Sequence, residues 1–337
     1  MKLPVFLLIS AVVSCVHQAG TPSLNADATG CLSAIARRVT AVPLETNATC
    51  RIDMPEKVVC AGNRVFVLCN EMIYSFNRSG KFMGTISLDS DARIHDYTIH
   101  PQWKQVIVLD NFRRIHYYTF DGVKQKQDDL RAPTDGHALQ HIAYYSHSLW
   151  FTFERLSSEN VFENGLLRFG LADRSVEYIS LPDVDLGRSS LHRHFASEFA
   201  VAENIPYIYS PCADRAHILR DTLYLLSRGQ FDDRSRSEAP FRIYPVRIDD
   251  RYLIASYREN VAEESNFLFV FDRKSRTAFN MNGLHDDFFE TGAVTDLQPL
   301  DPGGSEYYFY KTGKDTLKSF PERGEQDNPV LFLVNLS

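Results

Sequence analysis

Long apolar runs are missing from this chain. The longest, Leu3 to Val13, has eleven residues, too few to cross about 30 Å of hydrocarbon as a helix, so no bilayer-spanning helix is expected. A basic stripe is missing too. Basic side chains number 36 against 43 acidic ones and are dispersed, which leaves no electrostatic footprint for nucleic acid and removes that class of partner. No stretch keeps a helical apolar period. Nor is there a Gly-X-Ser-X-Gly elbow, a His-Glu-X-X-His helix, a phosphate loop or a Cys-X-X-Cys pair, the local arrangements through which many hydrolases, zinc proteases, NTPases and redox proteins are recognised. Tryptophan is scarce, at two residues, whereas there are 23 Phe and 16 Tyr. Together with short clusters of Val, Ile and Leu, that composition favours strands.

The amino end reads as an address. Lys2, the apolar run and then Val12-Val13-Ser14-Cys15 match a bacterial lipoprotein signal, in which the cysteine thiol receives a diacylglyceryl chain before cleavage. The competing reading is an ordinary secretory signal cut after Ala19. Residues 1–14 are then the removed signal, and lipidated Cys15 opens a flexible tether, residues 15–37, poor in apolar pattern and rich in Ala, Thr, Ser and Asn. Val16 rather than Asp after Cys15 points to the outer membrane, with the choice of leaflet open. Loss of Lys2 with the signal takes the net charge from −7 to about −8.

The remaining segment, residues 38–337, is longer than one compact core takes unless the architecture grows by repetition. Strand signals recur about every 40 to 60 residues, the range of propeller blades: Val65 to Leu68, Val106 to Leu109, Leu149 to Phe151, Ile205 to Ile208, Tyr252 to Ile254 and Tyr307 to Phe309. Several are followed by a second aromatic strand that stops at Asn or Asp in a polar turn, as at Asn77, Asp121, Asp173 and Asp272. Six units of this kind predict an all-β, six-bladed β-propeller of four-stranded antiparallel blades. Such a ring is closed by pairing strands from the two ends, here Val39 to Leu44 beside Val330 to Leu336.

Cys31, Cys50, Cys60, Cys69 and Cys212 follow Cys15, an odd number for an exported chain. Cys31 with Cys50 is the disulfide to test first. Cys60 and Cys69 flank a tight turn at Gly62-Asn63 that places Cys60 opposite Val65, out of register with its fellow, and both are read as small buried apolar residues.

The run VFVLCNEMIYSFNRSGKFMGTI and the later VIVLDNFRRIHYYTFDG, with AVPLET at 41–46, GLHDDF at 283–288 and DNPVLFLVNL at 327–336, resemble the six-bladed β-propeller lipoproteins of Bacteroides-type bacteria, which are related in shape to NHL-repeat propellers. The resemblance covers residues 38–336 and implies a fold rather than an activity. Members commonly carry a Gly-rich segment ending Pro-Gly-Glu-Tyr between the first two blades. This chain has Asp91 to Tyr97 without those glycines, so any ligand contact through that backbone is altered or lost.

The connections between blades gather ionisable residues: His95 and Asp96; Asp135 and His137; His192, Arg193 and His194; Asp232, Asp233 and Arg234; His285, Asp286 and Asp287. If they share one rim, imidazole and carboxylate could bind a ligand or act as acid and base. The expected ligand site is a channel mouth formed by Asp96, Tyr97, His137, Arg193, His194, His285, Asp286 and Asp287. The insertion from Pro182 to about Asn204 is expected beside it. Polar loops are common to all propellers, and Asp286-Asp287 is equally well a turn whose carboxylates hold backbone amides.

Two functions follow. The preferred one is a monomeric, lipid-anchored envelope protein that binds a glycan or an envelope partner protein. The other is a hydrolase or lyase using the His and Asp residues of the mouth with a divalent metal; the sequence names no cofactor and leaves enzymatic activity undecided, the binding reading being favoured.

Overall fold

The computed structural model describes residues 30–89, 91–130, 138–156, 161–180, 184–185, 198–202, 205–209, 242–248, 250–258, 267–294, 296–301 and 304–336. The protein is an all-β, six-bladed β-propeller. Blade one runs outward through Lys57–Ala61, Arg64–Cys69, Met72–Asn77 and Phe82–Ile86. Blade two follows with Ile94–His100, Gln105–Asp110, Arg114–Thr119 and Lys124–Asp129. Blade three comprises Ala138–Tyr145, Ser148–Leu156, Val161–Gly170 and Val176–Ser180, with Val184–Asp185 paired to its third strand. The two strands described for blade four are Glu198–Ala202 and Ile205–Tyr209. Blade five is Arg242–Ile248, Tyr252–Arg258, Phe267–Asp272 and Thr277–Met281.

Blade six joins the two ends of the described chain. Gln298–Pro299, Glu306–Lys311 and Val330–Leu336 are completed by Ala36–Pro43, with Val39 opposite Val334 and Val42 opposite Leu331. That is the pairing expected from the sequence. A buried amide locks it: Asn328 accepts the Ile52 N–H through Oδ1 at 2.7 Å and donates Nδ2 to the carbonyls of Glu45 and Cys50. Its own N–H reaches Thr46 Oγ1 at 2.7 Å. The distant motifs 41–46 and 327–336 are therefore one hydrogen-bonded joint.

The second strands of blades one and two are apolar through their middles because neighbouring blades cover both their faces. Val65, Phe66 and Val67 are fully buried, as are Val106, Ile107 and Val108. One apolar cluster packs blade six on blade one, a second blade one on blade two, a third blade two on blade three, and a fourth blade five on blade six. Each fully buried Val, Leu or Phe contributes about 1.5–3 kcal/mol relative to exposure. The outermost strand of blade two, Lys124 to Asp129, is almost wholly polar, which blunts an edge that could otherwise recruit another chain. The expected turn at Asn77 is present, with Oδ1 accepting the N–H groups of Ser79 and Lys81. Within it Gly80 adopts φ +85°, and its backbone lies so close to the Pro43 carbonyl that a Cβ would stand 1.9 Å from the oxygen.

Three expectations are corrected here. Residues 30–37, assigned to the tether, are folded: Gly30–Cys31 pairs in parallel with the strand Leu284–Asp286, and Leu32, Ile35 and Ala36 enter the cluster between blades five and six. The insertion from Pro182 to Asn204 contains Glu198–Ala202, which is the innermost described strand of blade four and not an excursion above it. Cys31 and Cys50 carry free thiols, Cys31 exposed beside His285 and Cys50 fully buried beside Asn328. Burial pushes the Cys50 thiol up to about 11. Cys60 faces Val65, as the turn requires, and is also free, as is Cys69. Cys15 and Cys212 lie outside the described residues.

Candidate functional site

Six strands that open the six blades line one cavity of about 600 Å³. Blade one supplies Lys57 to its wall, blade two Asp96 and Thr98, blade three His141 and Tyr144, blade four Phe199 and Val201, blade five Arg247 and blade six Gln298. A volume of this size suits a small ligand. One residue type recurs through the wall: ionisable groups carried on strands whose neighbours are apolar, so each group must find a partner or face the open space.

The best-defined cluster is at the start of the inner strands of blades one to three. Asp96 is buried, and its carboxylate gathers donors from three blades. Lys57 Nζ donates to Oδ1 at 2.8 Å and Oδ2 at 3.0 Å. Ile142 N–H reaches Oδ2 at 2.8 Å, and Tyr97 N–H reaches Oδ1 at 2.7 Å. His141 Nδ1 stands 3.4 Å from Oδ2. Burial by itself would raise the Asp96 carboxyl, but Lys57 and His141 outweigh it and hold the group well below the usual carboxylate range. Asp96 is therefore an anion, unsuited to donate a proton near neutral pH.

Local backbone irregularity presents these groups. The ladder between the first two strands of blade two slips between Ile94 and Asp96, and that of blade three slips between Leu139 and Ile142. Bulges of this kind re-aim side chains. His95 and His141, at the two slips, both line the cavity. Cys60, three residues along the strand from Lys57, also lines the cavity, with burial pushing its thiol up to about 12. Such a thiol is a small apolar wall group and not a nucleophile.

The residues expected at the mouth divide. Asp96 lines the cavity. Tyr97, next along the strand, points away from it; its hydroxyl donates to the Phe66 carbonyl at 2.7 Å in blade one, and the ring is fully buried. His285, Asp286 and Asp287 do not line the cavity. His285 and Asp286 belong to a separate three-stranded sheet formed by Gly30–Cys31, Leu284–Asp286 and Gly292–Val294, and Asp287 opens the turn after it. Fully buried Asp286 accepts the N–H groups of Phe288, Phe289 and Thr291 and the Thr291 hydroxyl, which is the turn-holding reading of that pair. Asp287 accepts from Ser33 N–H and Oγ at 2.9 and 2.5 Å. All three lie away from that cavity because the chain between blades five and six pairs with Gly30–Cys31 in its own sheet before it enters blade six. His137, Arg193 and His194 lie outside the described residues.

Lys57, His141, Tyr144 and Arg247 were not anticipated. Lys57 is the one charged residue of a five-residue strand otherwise made of Val, Cys and Ala, and His141 interrupts the alternation of Ala138–Tyr145. A charge inside a short apolar strand is the signal that could have found them. Among the described residues no three His, Cys, Asp or Glu side chains come together as a metal-holding group, and no helix is long and apolar enough to cross a membrane.

Comparison with known proteins agrees on the architecture. The model of the DUF5128 family, described as a 6-bladed beta-propeller, matches residues 22–168. Among solved structures, a protein from Bacteroides fragilis described as exported superposes with a TM-score of 0.60 at 12% identity, covering 89% of this chain and 95% of that one. The extracellular domain of a protein from B. thetaiotaomicron described as a one-component system gives a TM-score of 0.40 at 13% identity, covering 78% of this chain and 31% of that one. A search of curated protein sequences gives no match. The chain is thus similar in fold to a Bacteroides propeller described as exported.

Proposed function

We propose that the protein is a lipid-anchored, monomeric propeller of the cell envelope, held at the outer membrane through Cys15, whose central channel binds a small polar ligand such as a glycan. The observation that carries the reading is the cavity of about 600 Å³ lined from all six blades, with ionised and aromatic side chains interleaved on its wall. Propeller loops are polar as a rule, but the groups here stand on the inner strands: Asp96 and Lys57 bond one another across blades, and the half-exposed His141 beside them lines the cavity. Channel walls that served stability alone would more simply be apolar. An exported chain similar in fold to a Bacteroides protein described as exported would meet envelope glycans, and a segment of an envelope protein is the other occupant of that class.

The test is to narrow the channel and follow binding. Ala61 lines the cavity and also packs against the cluster between blades one and two, so Ala61→Trp adds bulk to the blade-one wall away from Lys57, and it is titrated only as protein whose urea unfolding matches the native chain. Calorimetric titration with mono- and disaccharides of envelope glycans should give saturable heat with the native chain and at least about tenfold weaker binding with the variant, a change of about 1.4 kcal/mol. Equal affinity in both proteins places the ligand elsewhere. The anchor is tested separately: Cys15→Ser should move the protein from the membrane fraction to the soluble one, and retention in the membrane overturns the lipid reading.

A further inference from the structure

We propose that His141 Nε2 is the ligand-contacting atom at the mouth of the channel, fixed as a hydrogen-bond acceptor by Asp96, and that the group it meets is a hydroxyl of a neutral sugar ring. This rests on the reading of the channel as a ligand site and names the contact and the ligand class.

The argument counts donors and acceptors. Asp96 is filled: both oxygens accept from Lys57, Oδ1 also from Tyr97 N–H, and Oδ2 also from Ile142 N–H with His141 Nδ1 beside it. Lys57 is filled as well, since its three N–H bonds are met by the two Asp96 oxygens and by the Ile142 carbonyl at 3.3 Å. The His141 backbone N–H is occupied by Thr152 Oγ1 at 3.2 Å. One polar atom of the cluster is left. His141 Nε2 makes no hydrogen bond among the described residues, and the side chain is 45% exposed while lining the cavity.

In the neutral ring the nitrogen beside the carboxylate, Nδ1, is the one that carries the proton, which leaves the lone pair on Nε2 at the opposite edge of the ring. A fixed acceptor selects a donor, and the commonest neutral donor among small polar ligands is a hydroxyl. Charge on the wall selects against anionic ligands, because Lys57 and Arg247 are outnumbered by Glu56, Asp96, Asp250 and Asp301. Tyr144 and Tyr145 add ring surface for the apolar face of a pyranose. Lys57 and Asp96 are positioning residues in this scheme; neither has an atom to spare for the ligand.

The experiment uses the full chain, N-acetylglucosamine, mannose, galactose and cellobiose as neutral probes, and galacturonate as the charged one. Imidazole ¹⁵N spectra should show His141 protonated at Nδ1, and a neutral probe should shift its Nε2 resonance. Calorimetry should show that probe bound at least about tenfold more weakly by His141→Ala and within about threefold of native by His141→Gln, whose amide oxygen can stand in for Nε2. A proton found on Nε2, no response to any neutral probe, or tighter binding of galacturonate than of every neutral probe overturns the proposal. A sugar lost by Ala61→Trp but bound unchanged by His141→Ala sinks the His141 assignment and leaves the channel reading standing. One bound unchanged by both variants sinks the two together.

Discussion

Asp96 and Asp286 are both buried aspartates singled out by their place between blades, and they do opposite things. Asp286 has its hydrogen bonds satisfied within five residues, by Phe288, Phe289 and Thr291, so its carboxylate shapes one turn. Asp96, besides the adjacent Tyr97 N–H, takes partners 39 and 46 residues away, Lys57 in blade one and Ile142 in blade three. A carboxylate bonded locally is a piece of backbone; one bonded across blades organises a surface. The useful discriminator is therefore sequence distance to the donors, which burial alone does not reveal.

The sharpest way to break this contrast is to remove each carboxylate. Asp96→Ala strands the Lys57 ammonium and the Ile142 N–H and severs a tie among three blades, with an expected loss of about 3 kcal/mol in urea unfolding. Its acid sensitivity should differ as well. Because the folded Asp96 carboxyl lies well below its ordinary value near 4, it contributes stability that is present above that value and lost as pH falls toward the folded one. Between pH 7 and pH 3 the native chain should lose more stability than Asp96→Asn; parallel losses would mean that the pairing adds nothing.

Asp286→Ala comes next, at about 2 kcal/mol, since three backbone amides and one hydroxyl lose a buried acceptor. Ligand binding by the fraction that still folds should equal native. A selective loss of binding without a loss of stability would reverse the roles assigned to the two aspartates.

Much of the fold is written in strands with an unbroken apolar run of four residues or more. Arg64–Cys69 and Gln105–Asp110 advertise themselves because they lie between covered faces, and the terminal joint is legible because Val330–Leu336 is long and apolar. The inner strands are harder to see. Ile94–His100 and Ala138–Tyr145 turn one face to the channel, so polar residues interrupt their pattern, and the sequence reading placed His95 and Asp96 in a connection. Glu198–Ala202 suffered the same fate inside a supposed insertion. The site was therefore legible where polar residues cluster, at Asp96, and illegible where a single lysine or histidine stands alone in a short strand, at Lys57 and His141. Asp286 shows the converse error, since clustering cannot separate a turn from a site.

A finer cut separates Asp96 from its own neighbour. Tyr97→Phe removes a 2.7 Å hydrogen bond to the Phe66 carbonyl while keeping the buried ring, so about 1 kcal/mol of stability should go. Affinity for a channel ligand should stay within about twofold, because the hydroxyl points into the joint between blades one and two. A change in affinity larger than the change in stability would put Tyr97 back at the mouth.

The smallest effect belongs to His285. Its side chain is exposed on the three-stranded sheet, opposite Cys31 and Ala293, and it does not line the cavity. Exposed substitutions of this kind usually stay within about 0.5 kcal/mol, so His285→Ala should match the native chain in urea unfolding and in sugar affinity, where His141→Ala does not. The pair is informative because both imidazoles lie next to a buried aspartate, His141 across blades from Asp96 and His285 beside Asp286 in the chain. If His285→Ala weakened binding as much as His141→Ala, the three-stranded sheet would have to contribute to the ligand site. The contrast between a turn-holding and a channel-organising aspartate would then fail at its simplest point.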